Sequence, residues 1–202
     1  MKRAIQMMCA MAVVVSFGSA AVAVVSDFDQ GHLDGWTIGL EGDLSIATSG
    51  GNPGGYARVD DFGGGLENRV YAPAKFLGDW SGLLGETLSL DAKQIAGSPL
   101  FPDTVDFEIS GPGGYAVHDT GSFITYSWAT YSTTITPSAW VVTDGTWEGL
   151  LANVTMLRID AEYVQGDDTF GFDNVELTPE PASIALLALG AMALVRRRKR
   201  NS

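Results

Sequence analysis

Val154-Thr155-Met156-Leu157-Arg158-Ile159-Asp160-Ala161-Glu162-Tyr163 is the most regular stretch of the chain. Leu157, Ile159, Ala161 and Tyr163 alternate there with Arg158, Asp160 and Glu162. Successive side chains of a strand point to opposite faces, so the pattern predicts a strand with one face on a core and the other in water. Further candidate strands flank it at 36–40, 44–48, 56–59, 66–71, 87–93, 105–110, 115–118, 131–136 and 170–177. Clusters of Gly, Ser, Thr, Asn and Asp separate these runs every ten residues or so, and no stretch carries a convincing helical period. Short strands at that spacing predict an all-β fold, an antiparallel sandwich or barrel.

Turn chemistry agrees. Gly50-Gly51-Asn52-Pro53-Gly54-Gly55 and Gly63-Gly64-Gly65 are too flexible for element interiors, and Gly111-Pro112-Gly113-Gly114 sits between two alternating runs as a hairpin loop would. None of the glycine clusters has a following lysine or leads into a helix, so a phosphate cradle is not expected. One strand breaks parity. Phe170 and Phe172 sit at even positions and Val175 and Leu177 at odd ones, although all four should face inward. This predicts a bulge near Asp173-Asn174.

Both ends carry sorting signals. Lys2 and Arg3, an apolar run over 4–15 and the Ala21-Val22-Ala23 motif form a secretory signal peptide spanning 1–23, cut after Ala23 by signal peptidase. At the other end, Pro179-Glu180-Pro181 precedes an uncharged run over 182–195 and the basic cluster Arg196, Arg197, Arg198, Lys199 and Arg200. Fourteen residues make a helix of roughly 21 Å, short against about 30 Å of hydrocarbon. The cations hold the C-terminus on the cytoplasmic side, and the two prolines keep the adjoining peptide extended. Triplet, hydrophobic segment and basic stop resemble in order and spacing the PEP-CTERM tail of bacterial proteins processed by an exosortase. The resemblance implies that 179–202 is a transient membrane anchor, removed by an exosortase-like membrane protease.

Between the signals lies one domain, 24–178, long enough for a sizeable core. It holds 23 acidic residues against Arg58, Arg69, Lys75, Lys93 and Arg158, a formal charge of −18. Such a surface repels nucleic acid and anionic polymers. The only cysteine, Cys9, falls in the signal peptide, so the exported domain has no disulfide and needs another source of stability.

The run Tyr71-Ala72-Pro73-Ala74-Lys75-Phe76-Leu77-Gly78-Asp79, with Leu88-Ser89-Leu90-Asp91-Ala92, Trp140, Trp147, the 150–163 stretch and Phe172-Asp173-Asn174-Val175, resembles a laminin B (laminin IV type A) domain over roughly 27–177. That resemblance implies a jelly-roll β-sandwich and a matrix module without catalysis. The ending also resembles jelly-roll carbohydrate-binding modules, which implies a structural Ca²⁺ held by Asp173 together with Asp27 and Asp29, with Asp168 next in line. The alternative role for Asp173-Asn174 is to satisfy backbone groups at the bulge.

Five tryptophans are many for a domain of this size. Trp36, at a strand start, is expected in the core; Trp80, in a loop, and Trp128, between Tyr126 and Tyr131, are the candidates for an exposed sugar-stacking platform. Catalytic machinery is not evident: His32 and His118 are the only histidines, and no serine sits in a G-x-S-x-G elbow. Three readings follow in order. The first is a non-enzymatic, secreted surface module delivered to an extracellular polysaccharide layer. The second is a carbohydrate-binding module with a specific glycan site, and the third an enzyme acting on polysaccharide.

Overall fold

The computed structural model describes residues 23–39, 42–62, 68–97, 103–164 and 166–178. Twelve strands follow one another: β1 (Val24–Ser26), β2 (Thr37–Ile38), β3 (Gly42–Ala47), β4 (Tyr56–Asp61), β5 (Arg69–Tyr71), β6 (Thr87–Ala96), β7 (Thr104–Gly111), β8 (Gly114–Phe123), β9 (Ala129–Thr134), β10 (Val141–Gly145), β11 (Met156–Asp160) and β12 (Asp168–Thr178). A short helix, α1 (Trp147–Leu151), precedes β11, and 3-10 turns lie at Ala74–Phe76 and Ser81–Leu83. α1 is capped by Thr146, whose Oγ1 accepts from the Gly149 N–H at 3.1 Å, and it buries Trp147, Leu150 and Leu151.

The strands form two six-stranded antiparallel sheets, a jelly-roll β-sandwich. The first has the order β3-β4-β12-β6-β9 with β1 also on β12, and the second β10-β8-β7-β11-β5-β2. β12 is the organising strand of the first sheet. One of its edges carries β6, while the other is shared: β4 pairs with Asp168–Phe172 and β1 with Val175–Leu177. The expected bulge falls where β4 gives way to β1. Asp173 faces Asp91 and Glu176 faces Ser89, so three steps along β12 match two along β6, and Asn174 takes the left-handed φ of 46° that an Asn side chain tolerates. The extra residue lets Phe170, Phe172, Val175 and Leu177 all face inward and become buried.

The core between the sheets is rich in aromatic rings. Phe172 meets Phe28 at 5.2 Å and Trp36 at 5.3 Å in edge-on contacts, and Tyr163 meets Phe170 at 5.1 Å. Trp36 is buried as expected, and its Nε1 donates to Ser26 Oγ at 3.0 Å. This ties the N-terminal strand to the start of β2. Phe107 and Ile109 of β7 and Leu157 and Ile159 of β11 close the core from the second sheet.

Several boundaries differ from the sequence reading. The central strand is Met156–Asp160, inside the expected 154–163, because the chain beyond Asp160 leaves the ladder while Ala161 and Tyr163 still bury their side chains. β1 and β10 fall outside the expected strands; each is a short run whose pairing depends on a partner distant in sequence. The hairpin at Gly111–Gly114 joins β7 to β8, and the Gly50–Gly55 loop joins β3 to β4. The Gly63–Gly65 cluster, Ala21 of the signal motif, Pro179-Glu180-Pro181 and the basic stop lie outside the described residues. Among the described residues no helix is long and apolar enough to cross a membrane.

Candidate functional site

Strand parity builds the site on the outer face of the second sheet. With Val105, Phe107 and Ile109 turned to the core, Asp106 and Glu108 of β7 point outward. By the same rule Arg69 and Tyr71 of β5, Arg158 and Asp160 of β11, and Tyr115 and Val117 of β8 share that face. Register then sets them in a row. Tyr71 lies opposite Arg158, Arg158 opposite Glu108, Glu108 opposite Val117, and Val117 opposite the exposed Val141 of β10.

Glu108 is the hub of this row. It is only 3% exposed, yet it accepts from Arg69 Nε at 2.7 Å, from Arg158 Nη2 at 2.6 Å and from the Tyr115 hydroxyl. Arg69 also donates to Asp160 Oδ1 at 2.8 Å and to the Asn68 carbonyl at 2.9 Å. The Arg158 guanidinium lies 5.9 Å from the centre of the Tyr115 ring. Burial alone would push Glu108 up, but the hydrogen bonds from Arg158, Tyr115 and Arg69 outweigh it and hold the carboxyl below its ordinary value. Glu108 is therefore a fixed acceptor, not a proton donor. Asp106, beside Asp119 and Asp103, is instead raised to about 6, by burial first and then by those like charges. The face thus offers ring surfaces at Tyr71 and Tyr115 and guanidinium donors already paired with carboxylates.

The residues singled out from sequence are scattered. Trp80 is not a platform: it is 2% exposed, with Nε1 donating to the Phe76 carbonyl at 3.0 Å. The 3-10 turn at Ser81–Leu83 folds its loop inward and carries the ring into the core. Trp128 lies on the outer face of the first sheet, half-buried, with Nε1 donating to the Gly50 carbonyl at 2.9 Å and its ring 5.4 Å from Tyr56. Lys93 Nζ sits 4.6 Å from that ring. Both rings pack down over Gly171 of β12, where an added Cβ would come within 2.7 Å of Tyr56.

Of the four carboxylates Asp27, Asp29, Asp168 and Asp173, Asp29 and Asp173 flank one loop, near enough for the charge of Asp29 to raise Asp173, while Asp168 stands apart. Asp27 is exposed and accepts from the Asp29 N–H at 3.2 Å. Asp29 and Asp173 lie on two sides of the Gly50–Gly55 loop, accepting from the Gly55 N–H at 3.0 Å and the Asn52 N–H at 2.7 Å. Gly54 approaches so closely that a Cβ there would sit 1.9 Å from Asp29 Oδ1. Asp173 also accepts from the Asn174 N–H at 2.8 Å, so it satisfies backbone groups at the bulge, the role given above as the alternative to a metal ligand. Asp168 is the first residue of β12, five residues before Asp173. Among the described residues no three His, Cys, Asp or Glu side chains converge as a metal-ligand set.

Buried carboxylates give the domain a pH signature. Burial is the leading cause that raises Asp168 to about 7 and Asp173 to about 6. A carboxyl whose folded pKa exceeds its unfolded value near 3.9 binds a proton more readily in the fold, so stability grows as pH falls through 7 toward 5. Asp60 and Glu108 have the opposite sign: their depressed values contribute stability above about pH 4 that is lost below it. The thermal midpoint is expected to rise between pH 8 and about 5 and to fall at more acid pH. Asp168→Asn should stabilise the domain at pH 8 by roughly 1–2 kcal/mol and flatten the rise. Thermal scans across pH check both, and a slope that persists unchanged in the Asp168→Asn variant would contradict the assignment to this group.

Comparison with known proteins adds two findings. Residues 177–200 match the PEP-CTERM protein-sorting motif, which indicates a secreted, cell-surface chain of the exosortase-sorted kind. No protein of curated function matches the chain. Among solved structures, the family 11 carbohydrate-binding module of a cellulosomal cellulase from Clostridium thermocellum is similar at TM-score 0.53 and 21% identity, over 80% of this chain and 96% of the module. An exo-beta-agarase is similar at TM-score 0.60 and 14% identity, over 77% of this chain and 25% of the enzyme. The L4b domain of human laminin alpha-2 overlaps 55% of this chain and 69% of its own at TM-score 0.47 and 13% identity, too partial a likeness to carry an argument. At these identities the likeness concerns the jelly-roll fold.

Proposed function

We propose that the domain binds a neutral extracellular polysaccharide, without catalysis, through the outer face of its second sheet, after export and sorting by an exosortase-type route. The observation that carries this reading is the row Tyr71, Arg158, Glu108, Val117 and Val141, with Tyr115 bonded to Glu108. Sugar rings present apolar faces that stack on aromatic side chains and hydroxyls that exchange hydrogen bonds with charged groups. Tyr71 and Tyr115 supply the first, and Arg158, held in place by the buried Glu108, the second. Neutral polymers suit the site because its cations are already paired with Glu108 and Asp160, while the acidic domain repels polyanions. The fold neighbours support the same class: the family 11 module has been seen in complex with a beta-1,3-1,4-mixed-linked tetrasaccharide.

The test is binding of the exported protein to soluble mixed-linkage glucan and to agarose, followed by affinity electrophoresis or calorimetry. Tyr71→Ala and Tyr115→Ala should each weaken binding about tenfold or more, the scale of one lost stacking or bonded ring. Trp128→Ala should leave it unchanged. Binding that depends on Trp128 and ignores both tyrosines would overturn the placement.

A further inference from the structure

We propose that the cleft between β8 and β9 is a second, separate binding site, and that it takes the end of a neutral glycan chain, the ligand class proposed above for the sheet face. The cleft measures about 330 Å³. It lies where the chain passes from one sheet to the other: Phe123 of β8 pairs with Thr104 in the second sheet, and the Thr125 carbonyl accepts from the Gln94 N–H of β6 in the first at 2.7 Å. Its walls are Thr120, Ser122 and Phe123 on one side, Thr125 at the turn, and Thr130 and Ser132 of β9 on the other.

The cleft is closed at both ends. At one end the 124–128 connection joins β8 to β9. At the other the 136–140 segment crosses from strand to strand: the Ala139 carbonyl meets His118 Nδ1 at 2.5 Å, and Trp140 Nε1 donates to the Thr134 carbonyl at 3.0 Å. A polymer has no through path along the strands, whereas a chain end can enter. The volume is that of a small-ligand site.

Backbone and side chains supply the contacts. β9 is the outermost strand of its sheet and pairs with β6 along one edge only. The Ile135 N–H donates to the Glu86 carbonyl at 2.8 Å, so Tyr131 and Thr133 bond β6 in the same ladder while Thr130 and Ser132 turn their backbone groups to the cleft. Ser122 and Ser132 add exposed hydroxyls from opposite walls, and Phe123, 56% exposed, adds an apolar ring. Open amides, hydroxyls and a ring are the groups on which a sugar bonds and stacks. Charge sets the class of sugar. No side chain of the lining is charged, in a domain of formal charge −18, so an ionic ligand finds no partner here. Strand addition by a peptide is opposed by length. The Thr134 carbonyl is taken by Trp140 and by the Thr136 N–H at 2.9 Å, which leaves residues 130–132 as free edge, short of the roughly five or six residues of an ordinary strand.

NMR titration of the exported protein with cellobiose, glucuronate and an uncharged Thr-Ser hexapeptide tests the site. Cellobiose should bind saturably and shift the amide signals of Thr130 and Ser132, and neither other probe should. Phe123→Ala, at an exposed position, should weaken cellobiose binding about tenfold. Tyr71→Ala should leave it unaltered while polymer binding through the sheet face falls. A long polymer offers few ends, so loss of the face removes retention on the polymer, and the cleft is read with short sugars. Cellobiose held at the cleft without any polymer binding would keep this site and remove the sheet face; polymer binding that depends on Tyr71, with no cellobiose shift at 130–132, would do the reverse. Cellobiose binding indifferent to Phe123→Ala, or equal binding of glucuronate, would overturn the proposal. Tighter binding of the hexapeptide would also overturn it and assign the edge to strand addition.

Discussion

Glu108→Ala is expected to destabilise the domain by about 2–5 kcal/mol and to abolish polysaccharide binding. The carboxylate is the shared acceptor of Arg69, Arg158 and Tyr115. Removing it leaves two guanidinium groups beside each other on a largely buried face, with side-chain exposures of 12% and 27%. Arg69 keeps Asp160 and the Asn68 carbonyl as partners, so most of the loss falls on Arg158. A second substitution, Arg158→Met, should therefore recover part of the stability in the Glu108→Ala background, because it removes the charge that lost its partner. It should not recover binding, which needs the polar row. Urea unfolding of the single and double variants measures the coupling. A single-variant loss below about 1 kcal/mol would mean that solvent replaces the carboxylate freely.

Phe172→Ala is expected to cost about 3–5 kcal/mol and, in a chain without disulfides, to leave little folded protein at 37 °C. Phe172 is fully buried and touches Phe28, Trp36 and Phe170. Those rings come from the N-terminal segment, the start of β2 and β12 itself. The cavity created would thus loosen contacts between the two chain ends as well as within the sheet. The exposed Phe62, by contrast, should tolerate alanine within about 0.5 kcal/mol. A denaturant midpoint for Phe172→Ala close to that of the parent would refute the view that this ring joins the ends.

Alternation made the fold class legible, since a period of two reports directly which side of a strand is buried. It also exposed the bulge, because Phe170, Phe172, Val175 and Leu177 cannot share a face in a regular strand. Trp80 departs from its local pattern for a physical reason: polar, glycine-rich neighbours suggest an exposed loop, whereas a 3-10 turn folds the ring under. Half of the site was also within reach. Arg158, Asp160 and Glu108 stand at the outward positions of alternating runs, but the expectation that such positions meet water hid the ion pairs that bury Glu108 and Asp160.

Sequence by itself determined the local matters: the C-terminal sorting motif, the strand periodicity, the turns, the bulge and the acidic balance of the domain. Each rests on neighbours within a few residues, where sterics, hydropathy and charge act directly. Tertiary structure alone decided which strands lie side by side. Glu108 meets Arg69 and Arg158 across 39 and 50 residues of chain, and Asp168 meets Asp61 across the β4–β12 pair. Register is a collective choice made by the whole core, so no local pattern states it, and the row around Glu108 is a product of register.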